Sequence, residues 1–447
     1  MSAPGATKGA TPSAALGTVL GHLEPRTDHR WWSRADAVEA RGWLTDHGLP
    51  SGRDEAWLYT PVDVLAATLA VARPAPLVRA RDLDAADIER LAGHHEGPRL
   101  VCVNGLPAPE LSRLHDLPPG VRVGSSSASA TEAPGAGIPD RFDAFQALNQ
   151  AGAPATAVIE VDPDVDAGPP IQVVHLSVPG DALALTLPRT EVRAGEGGRV
   201  VVVEVFTGIG GEATTDAVTR IDAGPGAEVT LHRVQAETAG VIHVGHCRVE
   251  QAAGSAVALT STVAGGDLSR VAIDVAFRGE GARVAIDGLY LPGEGERHDN
   301  VVTVEHAVPS CTSVQRFKGV IADRGRGSFS GHVIVAPGAD GTDSRQSNRS
   351  LLLGRSAQAD TRPWLEIFAD DVKCSHGATV GRLDDDALFY LRSRGIPLQE
   401  ARPMLTEAFV AEVVEAVEPV SARPFVAEVV AARLAALTGR HVARSRS

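Results

Sequence analysis

Lysine is nearly missing from this chain. Lys8, Lys318 and Lys373 are the only three in 447 residues, and the net charge is −14. A protein that grips nucleic acid by its phosphates needs a basic face, so the composition argues against that class. Cysteine is equally sparse. Cys102, Cys247, Cys311 and Cys374 are widely separated and form no CxxC pair, which argues against a disulfide framework and a structural zinc site. Aromatic residues make up 4% of a chain that is 43% hydrophobic. Its core must therefore be filled by Val, Leu, Ile and Ala, in thin layers such as strands with small side chains provide. No apolar run approaches the ~18 residues needed to span a bilayer. The stretch MSAPGATKGATPSAALG has no apolar core of a secretory signal, so a cytoplasmic protein with reduced thiols is expected. GxxxxGK[ST] is absent, which excludes a P-loop ATPase as far as motif goes. HExxH, GxSxG and EF-hand loops are absent too.

Glycine and proline, by contrast, number 46 and 29 and imply frequent turns. Residues 1–14 are small and polar without an apolar period and read as disordered. Residues 15–123 read as an N-terminal accessory domain. Within it TDHRWWSRADAVEARGWLTDHGLP and LDAADIERLAGHH have helical patterns and PRLVCVNG is a short strand. A Gly/Ser/Ala/Pro tract marks 124–139 as a flexible linker. DRFDAFQALNQAGA, within 140–154, reads as a connecting helix with Phe142, Phe145 and Leu148 on one side.

From 155 to 381 short β-branched runs alternate with Gly/Asp breaks: RVVVVEVF, EVTLHRVQ, SAVALTSTV, RVAIDVAF, RVAIDGLYL, SGHVIVAP. Four of these turn-and-strand units are led by Gly195, Gly224, Gly254 and Gly279, at steps of 29, 30 and 25. Gly325 leads another 46 residues on, read as two shorter steps. Such a period means stacked units. The repeats are strand-like, which excludes helical solenoids, and too short for a propeller blade of ~40–45 residues. A parallel β-helix fits best; a β-sandwich with coincidental turn spacing is the alternative. Residues 382–440 turn helical, before a short tail at 441–447. DDDALFYLRSRG carries N-cap candidates and ends at Gly395. Leu398, Leu405, Phe409, Val413 and Val417 share helical spacing, as do Phe425, Val429, Leu434 and Leu437. These apolar faces serve either the chain's own core or a docked partner.

GIGGEA and GEGGRV are Gly-rich but do not lead a helix after a strand, so they are poor dinucleotide loops. His243 and His246 lie on a predicted strand, where His246 and Cys247 must point to opposite faces; the same reading gives His246 and Cys247 no joint metal role. His298 beside Asp299 is expected at a turn, with His306 and His332 further on. Asp384, Asp385 and Asp386 suit a helix N-terminus, and Asp370 and Asp371 a strand-end turn. Paired carboxylates are also what a glycosidase needs, so a cytoplasmic β-helix carbohydrate enzyme is a rival reading. Against it stands the lack of aromatic platforms for sugar rings. Finally, Cys374 and His376 fall two apart in VKCSHGATV. If that run is extended, thiol and imidazole project the same way, two residues spanning ~6.6–7 Å. Both types ligate iron, and thiolates hold Fe–S clusters with His able to substitute. The plain alternative is a buried Cys beside a surface His.

RQSNRSLLLGRSAQADTRPWLEIFADDVKCSHGATVGRLDDDALFYLRSRGIPLQEARPMLTEAF strongly resembles the carboxy-terminal signature of the SufB/SufD family of iron–sulfur cluster assembly proteins. HDNVVTVEHAVPSCTSVQRFKGVIADRGRGSFSGHVIV is similar to the preceding family segment, and LPSGRDEAWLYT to an amino-terminal Arg-x-Glu-x-Trp stretch. The likeness runs from about residue 50 to 440, dense over 298–410 and thin over 60–290. Phe317, where Tyr is more usual, and Leu58, where a basic residue often follows the Trp, are departures.

The resemblance implies a mainly β fold: a right-handed parallel β-helix core with a mixed α/β N-terminal domain and a C-terminal helical domain. It implies pairing with a SufB-like paralogue through the β-helices, docking of a SufC-like ATPase on the C-terminal helices, and a possible homodimer in isolation. Nucleic acid and membrane are not expected partners. Where SufB-like sequences carry Cys-Asp-Ser this chain has Asn348, Arg349 and Ser350. Where they carry His-Glu-Ala-Thr it has His376, Gly377, Ala378 and Thr379. The SufB ligands are thus missing, which places the chain with the SufD branch. The resemblance gives His376, with Cys374 as the weaker candidate, a share in holding iron or a nascent, transient Fe–S cluster, completed across the interface by SufB. It implies a non-catalytic scaffold subunit that binds no nucleotide itself. A metal-free β-helix assembly protein remains a further alternative.

Overall fold

The computed structural model describes residues 12–23, 34–75, 83–125, 143–180 and 182–439. Residues 1–11, the linker from 126 onward with Phe142, and the tail at 441–447 lie outside the described residues.

Two sheets form the body. In hydrogen-bonding order from one end, the first contains Gln358–Ile367, Arg326–Val335, Arg297–His306, Leu268–Phe277, Val241–Gln251, Ala213–Ala223, Arg189–Ala194, Ala157–Val161 and Val121–Ser125. The second contains Val372–Gly381, Thr342–Leu352, Thr312–Ile321, Arg283–Tyr290, Ala256–Val263, Glu228–Gln235, Arg199–Gly208, Ile171–Ser177 and Arg99–Val103. The chain alternates between them, giving a parallel β-solenoid of about eight coils. Register fixes the repeat: Glu228 pairs with Ala256, Ala256 with Arg283, and Arg283 with Thr312.

The turns explain the glycine spacing. Gly226, Gly254 and Gly281 adopt φ of +65°, +67° and +72°, a left-handed conformation that glycine takes without steric cost. They stack through backbone bonds from Gly226 N to Ala253 O and from Gly254 N to Glu280 O. The expected step to Gly325 is corrected. Gly325 leads Arg326–Val335 of the first sheet, whereas the earlier glycines lead strands of the second. Its interval is about one and a half coils. The intervening turn was invisible because Ser310, at φ +60°, stands where glycine stands elsewhere.

Alternate side chains fill the lumen. Val202, Leu231, Leu259 and Ile286 of the second sheet meet Ile221, Val249, Ile273 and Val302 of the first in one continuous cluster. Neighbouring coils repeat these small aliphatics in register, so few aromatics are needed.

Among the described residues, eight α-helices decorate the solenoid: α1 (Pro12–His22), α2 (Arg34–His47), α3 (Val62–Val71), α4 (Ala85–Ala92), α5 (Ala144–Gly152), α6 (Asp385–Ser393), α7 (Leu398–Glu415) and α8 (Arg423–Thr438). Residues 12–14, expected to be disordered, already belong to α1, because Leu16, Val19, Leu20 and Leu23 bury one helical face. With α2, α3 and α5 this face packs on Leu185, Ile242, Val244 and Leu268 of the first sheet. The accessory region also supplies strands. Val121–Ser125 pairs antiparallel with Ala157–Val161, and Leu106–Pro107 pairs antiparallel with Arg99–Val103. They end the two sheets at the N-terminal side.

The C-terminal helices fold back over the outside of the second sheet. Val410, Val413, Val417, Val426, Val430 and Leu434 bury against Val234, Leu289 and Val320, each side chain contributing roughly 1.5–3 kcal/mol. Among the residues expected on these faces, Val413, Val417 and Leu434 are buried and Leu398 is exposed. The buried stripe of α7 runs through Ala401, Pro403, Thr406, Val410 and Val413, offset from the expected one. Polar pins reinforce the contact. Lys318 Nζ donates to Phe409 O at 2.7 Å and pairs with Glu412 at 2.7 Å. His232 Nε2 meets Glu418 O at 2.7 Å. Arg433 donates to Leu291 O at 2.9 Å and pairs with Glu296.

Candidate functional site

Val372–Gly381 is the final strand of the second sheet, and Gln358–Ile367 that of the first. Among the described residues no further strand covers either one. This end of the solenoid is therefore an open parallel edge with unpaired backbone groups. Ile367, Phe368 and Val380 are exposed beside it, as expected for a rung with no further layer on it.

Cys374 and His376 lie on this last strand. In-register pairing puts Cys374 against Ser344 and His376 against Gln346. Ser344 and Gln346 are buried, so both candidate ligands stand on the lumen side of the edge strand. Cys374 is half-buried and packs at the margin of the cluster of Val333, Val335 and Ala339. His376 is exposed. The pair is thus turned toward the lumen of a coil whose outward side is open. Burial raises the Cys374 thiol above its ordinary 9.0, with Asp343 adding to the rise and a backbone hydrogen bond from Ser344 opposing it. The thiol is protonated at neutral pH, and iron would have to displace its proton.

A polar column, which sequence reasoning missed, lies beneath the pair. Ser344 Oγ meets Ser313 Oγ at 2.8 Å, and Ser313 Oγ meets His306 Nε2 at 2.9 Å. Gln346 Nε2 donates to Gln315 Oε1 at 2.8 Å. Asn348 accepts from the Tyr290 hydroxyl at 3.1 Å and donates to Thr361 at 3.1 Å. The signal was present as alternation in TDSRQSNRS, but without register nothing said which alternate residues faced inward. Asn348, at the position where SufB-like sequences carry cysteine, is one of the lumen residues, paired with Ala378.

The other candidates go elsewhere. Cys247 is buried in the lumen, whereas His246 on the outer side contacts Asp274 at 2.7 Å, the opposite facing that alternation demands. His298 and Asp299 are not at a turn but within the buried strand Arg297–His306. Asp299 there accepts from Thr60 at 2.6 Å, so its carboxylate braces the accessory region. His332 stacks on Trp364 at 4.2 Å and pairs with Glu366. Asp384 caps α6 by accepting from Asp386 N and Ala387 N, with Asp385 and Asp386 in the first turn. Asp370 and Asp371 sit in the turn between the two final strands. Trp57, from the amino-terminal stretch, is clasped by the Arg270 guanidinium at 3.8 Å and by Phe145. No group of three or more His, Cys, Asp or Glu poised to hold a metal ion occurs among the described residues. All four cysteines are free, and among the described residues no helix is long and apolar enough to cross a membrane.

The chain is thus a parallel β-solenoid, open at one end and bearing a Cys/His pair on its last rung. Residues 177–409 match the family described as SUF system FeS cluster assembly, SufBD core domain. The chain is 32% identical over 374 residues to the iron-sulfur cluster assembly protein SufD of Escherichia coli K12, covering 83% of this chain and 85% of that one. It is 30% identical over 382 residues to a SufBD family protein of Synechocystis, covering 82% and 83%. A Mycobacterium leprae SufBD family protein is 29% identical over 383 residues, covering 82% and 86%. The chain belongs to the SufB/SufD family of iron–sulfur cluster assembly proteins and is SufD-like.

Proposed function

We propose that this chain is a non-catalytic scaffold subunit that pairs edge to edge with a SufB-like paralogue and lends His376, with Cys374 beside it, to a cluster assembled at their junction. The observation that carries this reading is the open final coil. Its edge strands have unpaired backbone groups, its rim exposes Ile367 and Val380, and its last rung offers two soft or borderline ligands facing the same way. Two ligands rarely hold a cluster, so the remainder come from the homologous subunit and from sulfide. Iron and sulfide are cargo here. The chain supplies a fixed rung, an imidazole nitrogen, and a thiol whose proton leaves on ligation.

The same reading has the C-terminal helices dock a SufC-like ATPase. Their apolar stripes are occupied by the solenoid, but Phe389 and Tyr390 on α6 remain exposed at 73% and 58%. They offer an aromatic contact of the kind enriched at interfaces.

Pairing is tested by co-expressing the chain with its paralogue and measuring co-purification. The double substitution Ile367→Glu with Val380→Glu is expected to abolish recovery of the paralogue. Both positions are exposed, so folding stability should change by less than about 0.5 kcal/mol each. Full recovery of the paralogue with the folded double variant would defeat edge pairing.

A further inference from the structure

We infer that Gln346 is the positioning residue for His376. This rests on the ligand role proposed for His376. Three lumen side chains lie directly beneath the outermost rung: Ser344 under Cys374, Gln346 under His376 and Asn348 under Ala378. The Ser344 hydroxyl is engaged by Ser313, and both ends of the Asn348 amide are engaged by Tyr290 and Thr361. Gln346 differs. It is 3% exposed, its nitrogen donates to Gln315, and its carbonyl oxygen Oε1 has no hydrogen-bond partner. Such an unmet buried acceptor costs about 1–3 kcal/mol, and natural structures keep few of them.

The room for this amide is built in from the opposite sheet. At Gly331 a side-chain carbon would overlap the Gln346 carboxamide, nitrogen first. Glycine there keeps the amide seated, and the bond to Gln315 orients it. Neighbouring strands lie only ~4.7–4.9 Å apart, so the free oxygen is one rung from the imidazole.

A metal-binding histidine uses one ring nitrogen for the metal and commonly donates the other ring N–H to a fixed acceptor, which sets its tautomer. Gln346 Oε1 is the acceptor that the rung beneath His376 leaves unspent. Rotation of the exposed ring closes its N–H onto this oxygen, which is unpaired in the structure, and leaves the second nitrogen, with its lone pair, for iron. Gln346 itself touches no cargo.

The test uses the full-length chain without iron, labelled with 15N-histidine, at about pH 8, above the ordinary imidazole value of ~6.5. The His376 ring resonances are assigned by their loss in His376→Gln. The wild-type ring is expected to show a single tautomer. Gln346→Leu should give a mixture of tautomers, and Gln346→Glu, which keeps an acceptor, should restore the single form. In the complex, Gln346→Leu should lower cluster yield by roughly 10–100-fold, with recovery in Gln346→Glu. A tautomer mixture in the wild type overturns the inference without any variant having to fold. So does a single tautomer in folded Gln346→Leu. The ligand role is read separately, from cluster yield in His376→Ala. A pinned ring with unchanged yield in that variant upholds the hydrogen bond and removes the ligand role.

Discussion

Gly245 lies on the lumen side of its strand, where any side-chain carbon would overlap the Arg233 guanidinium and the His243 ring. Its absence of a side chain admits a fully buried ionic group. Arg233 meets His243 Nε2 at 2.5 Å, and His243 Nδ1 meets Glu237 at 2.8 Å. Thr219 donates to Glu204 at 2.8 Å nearby. The imidazole accepts from arginine and donates to carboxylate, so it is neutral, and burial holds it below its ordinary range. His298 shows what such burial does to stability. Its ordinary value of 6.5 is lowered to about 3, by burial first and by Arg433 second. The unfolded chain takes up this proton near 6.5 and the folded chain does not. Stability from this group is therefore fully present above pH ~6.5 and falls as pH drops toward 3, by about 1.4 kcal/mol per unit. His306, lowered to about 4 by burial, acts in the same direction. Urea unfolding at about pH 7.5 and 5.5 should give a lower midpoint at the acid value, and His298→Gln should shrink the difference. Equal midpoints in the unmodified chain would contradict this assignment.

At the scale of elements, α6 separates from α7 and α8. It has no buried residue, while its neighbours are pinned through Lys318, His232 and Arg433. Phe389→Glu with Tyr390→Glu is expected to leave the thermal midpoint within about 2 °C, since both side chains are exposed. It should abolish co-purification of the proposed ATPase partner. Retained co-purification would move the docking surface elsewhere. Strands such as Arg199–Gly208, Glu228–Gln235, Ala256–Val263, Leu268–Phe277 and Arg283–Tyr290 were legible in the amino-acid order alone, as β-branched runs between glycine turns, whereas Arg297–His306 was not, since His298 and Asp299 were expected at a turn. The helices were legible as helices, but their buried faces were not. Phe409 was expected on a face serving either the core or a partner; it is partly buried against the core, with the Lys318 ammonium 5.2 Å from its ring, while Val410 takes the fully buried position. Helical spacing fixes which residues share a face, whereas the partner surface decides which face turns in. The candidate pair Cys374 and His376 was likewise legible by alternation. The supporting residues Gln346 and Gly331 were not, because they are brought to the site by register and by the opposite sheet.

The whole molecule is a stack in which each coil is buried by its two neighbours, so nearest-neighbour contacts dominate stability. Position along the stack should then set the cost of a truncation. Ile273, 1% exposed in a central coil, should lose about 2–5 kcal/mol on Ile273→Ala. Leu365, half-buried on the last coil, should lose much less on Leu365→Ala, and most of that loss should disappear when the paralogue is bound. Denaturant unfolding of each variant, alone and in the complex, measures both. Equal costs would mean that the last coil is already covered. The asymmetry of the ends carries the functional reading: antiparallel strands from the accessory region complete one end, and the other presents an unfinished rung.

The most direct measurement of that reading is anaerobic cluster formation, from iron and sulfide, on the complex of this chain with its paralogue and ATPase, comparing the unmodified chain with His376→Ala. Removing a ligand shared across the junction should cut cluster yield severely while all three subunits still co-purify in the same ratio. An unchanged yield on an intact His376→Ala complex would contradict the claim that this imidazole holds the nascent cluster.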